Sequence, residues 1–418
     1  MSATVERDGE LFVEQVALSE IAERFGTPCY VYSKALLVDA FEQYRRAFGA
    51  REHLILYAVK ANSNLAILKL LADKGCGFDI VSGGELARVL TAGADPGKIV
   101  FSGVGKSVAE IRQALAAGIM CFNAESEAEI ERLSVLASES GALAHVSLRV
   151  NPDVDAHTHP YISTGLKQDK FGVPHELALA LYRKARTLPG LKVIGIDCHI
   201  GSQLTDTTPF SAAIERVLVL YKALRAEGFE MEHLDLGGGL GIRYRSEEHP
   251  PTIGEYVDAL LAELGETNVR VLVEPGRSLV GDSGVLLTRT EYVKQSAARC
   301  FVVVDAAMND LLRPALYGAW HDIRPVRMRR QGIARQCQVV GPVCESGDFL
   351  GHDRLLAVEE GDLLAVLCAG AYGMSMSSNY NSRTRVPEIM VDANCAHLIR
   401  SRETMSELYA REFFLPCT

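Results

Sequence analysis

The chain has no Cys-x-x-Cys pair, one tryptophan, and no apolar run of the roughly 18 residues that a bilayer span needs. The ten cysteines are scattered without paired spacing, which argues against a zinc ribbon or a thioredoxin-like redox motif. Most of them, Cys344 being the exception, are expected to be small core residues with reduced thiols. His157 and His159 form an isolated His-x-His pair with no cysteine or acidic cluster to complete a ligand set, so no metal is expected. Basic residues are outnumbered, 43 against 53 acidic, and the net charge of −10 argues against a nucleic-acid partner. The opening segment, Met1-Ser-Ala-Thr-Val-Glu-Arg-Asp-Gly9, lacks the basic start and apolar core of a signal peptide. A cytoplasmic protein with no membrane association is the expectation.

What is present is an ordinary globular composition, 48% hydrophobic and 23% charged, in 418 residues, enough for two or three domains. Short apolar segments alternate with amphipathic ones from about residue 50 to about residue 280. The candidate strands are His53–Asn62, Gly77–Ser82, Lys98–Ser102, Met120–Glu125, Ala144–Asn151, Lys192–His199, His233–Gly238 and Val269–Glu274. Between them lie helical patterns such as Asn64–Lys74, Ser107–Ala117, Ser126–Ser140, Pro209–Glu227 and Ile253–Leu264. Eight such repeats predict a closed parallel (β/α)8 barrel, with an open doubly wound sheet as the runner-up. After about residue 285, short β-branched segments (Arg299–Asp305, Arg335–Val340, Asp362–Leu367, Ile389–Val391) predict a mainly antiparallel β domain. The first 30 or so residues are also strand-like and are expected to join that sheet. The predicted division is a barrel over 35–285 and a β domain built from 1–34 and 286–418.

A barrel of this kind draws its reactive groups from the C-terminal ends of its strands. Those ends carry Lys60, Asp79 and Ser82, Ser102, Glu125, Asn151, His199, Gly237-Gly-Gly239, and Glu274-Pro-Gly-Arg277. Lys60 closes the apolar run Leu54–Val59, where an amine can form a Schiff base with an aldehyde. The last two strands end in glycine turns, which let backbone N–H groups approach an anion. A lysine on the first strand facing two glycine turns on the last two fits a phosphorylated aldehyde, pyridoxal phosphate.

Several segments carry a resemblance that covers nearly the whole chain. They are Tyr57–Asn62, Gly77–Glu85, His199-Ile-Gly-Ser-Gln203, Asp235–Gly241, Glu274–Ser278, Asn309–Tyr317, Cys344-Glu-Ser-Gly-Asp348 and Ala369–Arg383. With them the chain resembles the fold-type III pyridoxal-phosphate decarboxylases, the ornithine, diaminopimelate and arginine decarboxylase family, whose fold is alanine-racemase-like. The resemblance implies that Lys60 carries the cofactor, Glu274 faces its pyridine nitrogen and His199 stacks on its ring. Ser202, Gly238, Gly239, Gly276, Arg277 and Tyr372 would hold the phosphate. Cys344 would return a proton to the α-carbon from the partner subunit of a homodimer. Arg277, Arg313 and Tyr317, together with Tyr372, would bind the substrate's far carboxylate, and Glu345 its far ammonium. An amino-acid group at both ends describes meso-diaminopimelate, which would give L-lysine and CO2 as the last step of lysine biosynthesis.

Rival readings stay within reach of the same fold. Decarboxylases of ornithine or arginine carry an aspartate after the cysteine, where this chain has Glu345. A D-lysine or D-ornithine decarboxylase would share the geometry of the D-centre. Alanine racemases place an arginine near the pyridine nitrogen, which Glu274 opposes. A non-catalytic regulatory homologue would lose the lysine or the phosphate cradle, and both are intact. One departure stands: Thr384 and Val386 occupy places where the family often has prolines.

Overall fold

All five residues of Leu54–Ala58 are buried, as a parallel strand covered on both faces requires; this is why the segment runs apolar without alternating. The computed structural model describes residues 3–154, 170–296, 299–328 and 333–416. The chain divides into two compact units: Val38–Arg243 with His249–Leu279, and Met1–Leu37 with Tyr244–Glu248 and Val280–Thr418.

The first unit is a closed barrel of eight parallel strands. They are β1 (His53–Ala58), β2 (Gly77–Ile80), β3 (Ile99–Phe101), β4 (Cys121–Ala124), β5 (Ala144–Asn151), β6 (Leu191–Asp197), β7 (His233–Asp235) and β8 (Arg270–Val273). Neighbours pair in sequence order, and β8 pairs β1 with Leu272 opposite Leu54, which shuts the cylinder. Leu54, Leu56, Val100, Cys121, Ile194 and Leu272 form one core cluster.

Seven helices follow the first seven strands: α1 (Leu65–Asp73), α2 (Gly83–Thr91), α3 (Val108–Ala117), α4 (Glu127–Glu139), α5 (His175–Thr187), α6 (Thr208–Ala226) and α7 (Ile253–Leu264). Their starts are set by side chains that satisfy the first orphan N–H groups. Ser107 and Thr252 form reciprocal capping boxes with Glu110 and Glu255. Ser82 and Ser126 cap α2 and α4, so Ser82 serves the helix start. These caps lie two residues past β2 and β4, so the loops there are short. A helix that the periodicity does not single out, Lys34–Phe48, precedes β1.

The second unit is built around the twelve-residue strand Gly284–Gln295, which pairs antiparallel with Cys29–Ser33, Cys300–Val304 and Leu363–Val366. Cys29–Ser33 and Glu388–Asp392 run parallel, as do Cys300–Val304 and Arg335–Val340, so the sheet is mainly but not wholly antiparallel.

Two expectations need correction here. Of the N-terminal segments only Cys29–Ser33 joins the large sheet. Thr4–Arg7, Glu10–Val13 and Val16–Ala17 form a separate three-stranded sheet, and Leu18–Phe25 is a helix. Their alternation gives strand character but not the partner strand. Second, Cys300 and Cys337 are joined in a disulfide, because the parallel register sets them opposite each other on neighbouring strands. A separation of 37 residues hides that pairing from the sequence. Among the described residues no helix is long and apolar enough to cross a membrane. His157 and His159 lie outside the described residues.

Candidate active site

Backbone hydrogen bonds stitch the C-terminal strand ends of the barrel together. Ala58 N–H donates to Pro275 O at 3.2 Å, Glu274 N–H to Gly237 O at 2.7 Å, and Leu204 N–H to Gly239 O at 2.9 Å. The segments following β1, β6, β7 and β8 are thereby fixed against one another. The glycines are needed for close approach: a Cβ on Gly238 would collide with the Glu274 carbonyl oxygen, and one on Gly239 would sit 2.6 Å from Gly201 O.

Lys60 stands in the turn after β1 with its Nζ 3.1 Å from Asp79 Oδ2. Its side chain is 39% exposed, whereas Asp79 is fully buried. The amine is thus held by an ion pair at the barrel mouth, in contact with solvent, and is not stripped of water in an apolar pocket.

His199 is half-buried, and its Nδ1 lies 3.1 Å from the Gly238 N–H. Since that nitrogen accepts, the ring proton resides on Nε2. Burial first, then the Arg149 and Lys60 charges, push its pKa well below the ordinary histidine value, so the imidazole is neutral. The same contact commits the Gly238 N–H to His199. Gly238 therefore contributes room for close approach and not a free donor. Arg277 is buried and donates through Nη2 to Ser202 Oγ at 3.0 Å, joining the turns after β8 and β6.

Beneath these groups lies a floor that sequence reasoning missed in large part. Asp197, Asp235 and Glu274 are all buried, with oxygens within 4.8 Å of one another, and Asp79 adds a fourth carboxyl. Asp235 Oδ1 accepts from the Gly237 N–H at 3.0 Å, and so many buried carboxyls in one place favour retained protons among them. Burial, then Asp235 and Asp79, lift the Glu274 pKa well above the carboxylate range. Burial lifts Asp235 to about 7, against the pull of the Gly237 N–H and with the help of Asp79. Burial also works against the Arg149 charge, but Glu125, Asp197, Glu274 and Asp79 outweigh it and keep the guanidinium charged. Arg149 Nη1 in turn lies 3.4 Å from Glu125 Oε1. The signal for Arg149, Asp197 and Asp235 was available: Arg149 lies within β5 and Asp197 and Asp235 close β6 and β7, all buried, and charged residues are seldom buried without a task. Of the remaining strand-end residues, Ser102 Oγ accepts from Asn123, and Asn151 Oδ1 accepts from the Asp153 N–H. They shape loops.

Glu274 Oε1 is buried and makes no hydrogen bond among the described residues. An acceptor left over beside a solvent-reached lysine and two glycine turns fits a planar cationic ring carrying an aldehyde and an anionic arm. The residues present thus fit pyridoxal phosphate.

The remaining candidates belong to the second unit. Arg313 and Tyr317 are the first and last residues of a single helical turn, four apart and therefore on one face. Arg313 is buried, its Cζ 4.6 Å from the centroid of the Tyr244 ring. Cys344 and Glu345 lie in an exposed loop pinned at its base by Asp348, whose carboxylate accepts from the Met308 and Val343 N–H groups at 2.7 and 2.8 Å. The Cys344 N–H donates to Asn381 Oδ1 at 2.8 Å, and the Tyr380 hydroxyl donates to Glu345 Oε2 at 3.4 Å. Tyr372 has φ +56°, a left-handed conformation rare for a residue with a Cβ. Gly370 beside it is packed so tightly on Val280 O that no side chain fits.

A family model described as pyridoxal-dependent decarboxylase, pyridoxal binding domain, matches residues 34–281. The chain is 57% identical over 410 residues to a diaminopimelate decarboxylase of Pseudomonas aeruginosa, covering 98% of each chain. With one from Vibrio cholerae the identity is 55% over 412 residues, again 98% of each. The crystal structure of diaminopimelate decarboxylase from M. jannaschii in co-complex with L-lysine superposes with a TM-score of 0.95 at 39% identity, covering 100% of this chain and 99% of that one.

Proposed function

The chain belongs to the diaminopimelate decarboxylase family of pyridoxal-dependent decarboxylases, and we propose from that premise how its own residues divide the work. The reaction is the conversion of meso-diaminopimelate to L-lysine and CO2. The observation that carries the reading is Glu274, a buried carboxyl with one unpartnered oxygen at the strand ends that also bear Lys60 and the glycine turns.

When bound, pyridoxal phosphate supplies an electron sink for the pair left behind as CO2 departs. Lys60 Nζ would hold the cofactor covalently through its aldehyde group. Glu274, with its buried Oε1 left without a partner, would accept from the pyridine nitrogen and favour its protonated form. His199, neutral and locked by the Gly238 N–H, packs on the ring without adding charge. Ser202, Gly239 and the Gly276–Arg277 backbone, with Tyr372, would hold the phosphate.

The Cys344 thiol of a second subunit delivers a proton to the α-carbon, whose C–H bond replaces the C–C bond lost with CO2. Its exposure on a pinned loop supports a role toward another copy of the chain. Arg277, Arg313 and Tyr317 receive the far carboxylate, for which planar guanidinium groups are suited. Glu345 receives the far ammonium. The working species is a cytoplasmic homodimer.

The test is CO2 release from meso-diaminopimelate, D-lysine, L-lysine and L-ornithine measured side by side. Turnover of meso-diaminopimelate in preference to the other three is expected. Activity confined to a monoacid diamine would remove the far-carboxylate assignment.

A further inference from the structure

Arg313 does not meet a carboxylate on its own element. Its Nη1 lies 2.8 Å from His321 Nε2, a residue with no exposed surface eight positions on. The other ring nitrogen, Nδ1, lies 2.8 Å from the Leu367 carbonyl oxygen. A carbonyl oxygen only accepts, so Nδ1 carries the proton; a guanidinium only donates, so Nε2 presents its lone pair. The two partners thus fix both the tautomer and the neutrality of the ring.

The backbone of His321 is itself clamped. Its carbonyl accepts from Arg354 Nη2 at 2.9 Å, and the Arg354 guanidinium lies over the neighbouring Trp320 ring, 3.1 Å from its centroid. The Tyr244 ring completes the nest, edge-on to His321 at 5.3 Å and beneath the Arg313 guanidinium. A carboxylate in the place of His321 would orient Arg313 equally well but would cancel its charge and compete with an incoming carboxylate. A neutral imidazole orients the guanidinium without placing a negative charge beside it.

We propose that His321 is a positioning residue that selects for the substrate's far carboxylate, by holding the Arg313 guanidinium in one orientation through Nε2 while Nδ1–H is anchored on Leu367. The inference rests on the reading of Arg313 as part of the far-carboxylate clamp.

L-lysine retains that far carboxylate and 1,5-diaminopentane lacks it, so the two serve as inhibitor probes of the holoenzyme. In His321→Ala, the KM for meso-diaminopimelate and the Ki of L-lysine should rise about tenfold or more, as expected on losing one oriented charge-assisted hydrogen bond. The value of kcat should stay within about twofold, and the Ki of 1,5-diaminopentane should not move. His321→Gln can offer an oxygen to Arg313 and an N–H to Leu367, and should recover most of the L-lysine affinity. If the alanine variant does not fold, His321→Asn, too short to span both partners, must show the same split. Equal loss of affinity for the two probes, or a fall in kcat alone, would overturn the proposal. Arg313→Ala separates the two levels. A raised KM there with an unmoved KM in the His321 variants sinks only the positioning role. An unmoved KM in Arg313→Ala removes the clamp reading and this inference with it.

Discussion

The Asp79 carboxylate 3.1 Å from Lys60 changes what that lysine is before any cofactor arrives. A strand-end amine beside an apolar run invites the idea of a desolvated, neutral nucleophile. The buried aspartate instead holds the amine in an ion pair at the barrel mouth. Deeper in the floor, Asp79, Asp197, Asp235 and Glu274 act on one another and on Lys60 and Arg149, and burial favours the protonated forms of Asp235 and Glu274. This has a measurable consequence. Burial lifts Asp235 from 3.8 to about 7 in the folded, cofactor-free chain. Between those values the folded state keeps a proton that the unfolded state has released. By linkage, stability falls as pH rises through that window and levels off above it, with a slope of at most about 1.4 kcal/mol per pH unit for one proton. Asp235→Asn lacks that proton. Urea unfolding of the cofactor-free proteins should therefore show the variant gaining on the wild type as pH climbs from 3.8 toward about 7, and a constant difference beyond. A difference independent of pH would show that Asp235 does not retain a proton across that window.

At the scale of elements, the turns after β7 and β8 leave no room for an added methyl group. Gly238→Ala would push its Cβ into the Glu274 carbonyl and displace the carboxyl assigned to the pyridine nitrogen. Titration of the cofactor-free variant with pyridoxal phosphate should give an apparent Kd raised about tenfold or more, with a stability cost of about 1–3 kcal/mol from overpacking. Gly254→Ala in α7, where the nearest atom to a new Cβ is 3.9 Å away, should leave cofactor affinity unchanged. The barrel elements were legible because strands buried on both faces are predominantly apolar, as in Leu54–Ala58, and alternate regularly with amphipathic helices whose starts carry caps such as Ser107 and Thr252. Where structure depends on which strand lies next door, the sequence carries no such mark. The Cys300–Cys337 bond and the separate sheet of Thr4–Ala17 are of that kind. So is His321, whose two partners come from positions 313 and 367. Candidate residues beside strong motifs were legible, but Arg149 and Asp197, single charges within strands, needed their neighbours to acquire meaning.

At the scale of the whole molecule, the question is whether one chain completes a site. Lys60 belongs to the barrel unit, whereas Cys344 sits on an exposed loop of the other unit, pinned by Asp348 and Asn381. Neither contact fixes which copy of the chain the thiol serves. A two-fold dimer in which each site takes Lys60 from one subunit and Cys344 from the other predicts complementation. Lys60→Ala and Cys344→Ala proteins are each expected to be nearly inactive, since each lacks one group at both sites. In a mixed dimer the wild-type Lys60 of one subunit meets the wild-type Cys344 of the other at one of two sites, while the second site lacks both. Random exchange of equal amounts makes half the dimers mixed, so activity should recover to about a quarter of wild type by the statistics of a C2 dimer. Recovery should follow the rate of subunit exchange and disappear if the proteins are cross-linked before mixing. A chain that used its own cysteine would show no recovery at any ratio, and the exposed Cys344 loop would then have to act within its own subunit.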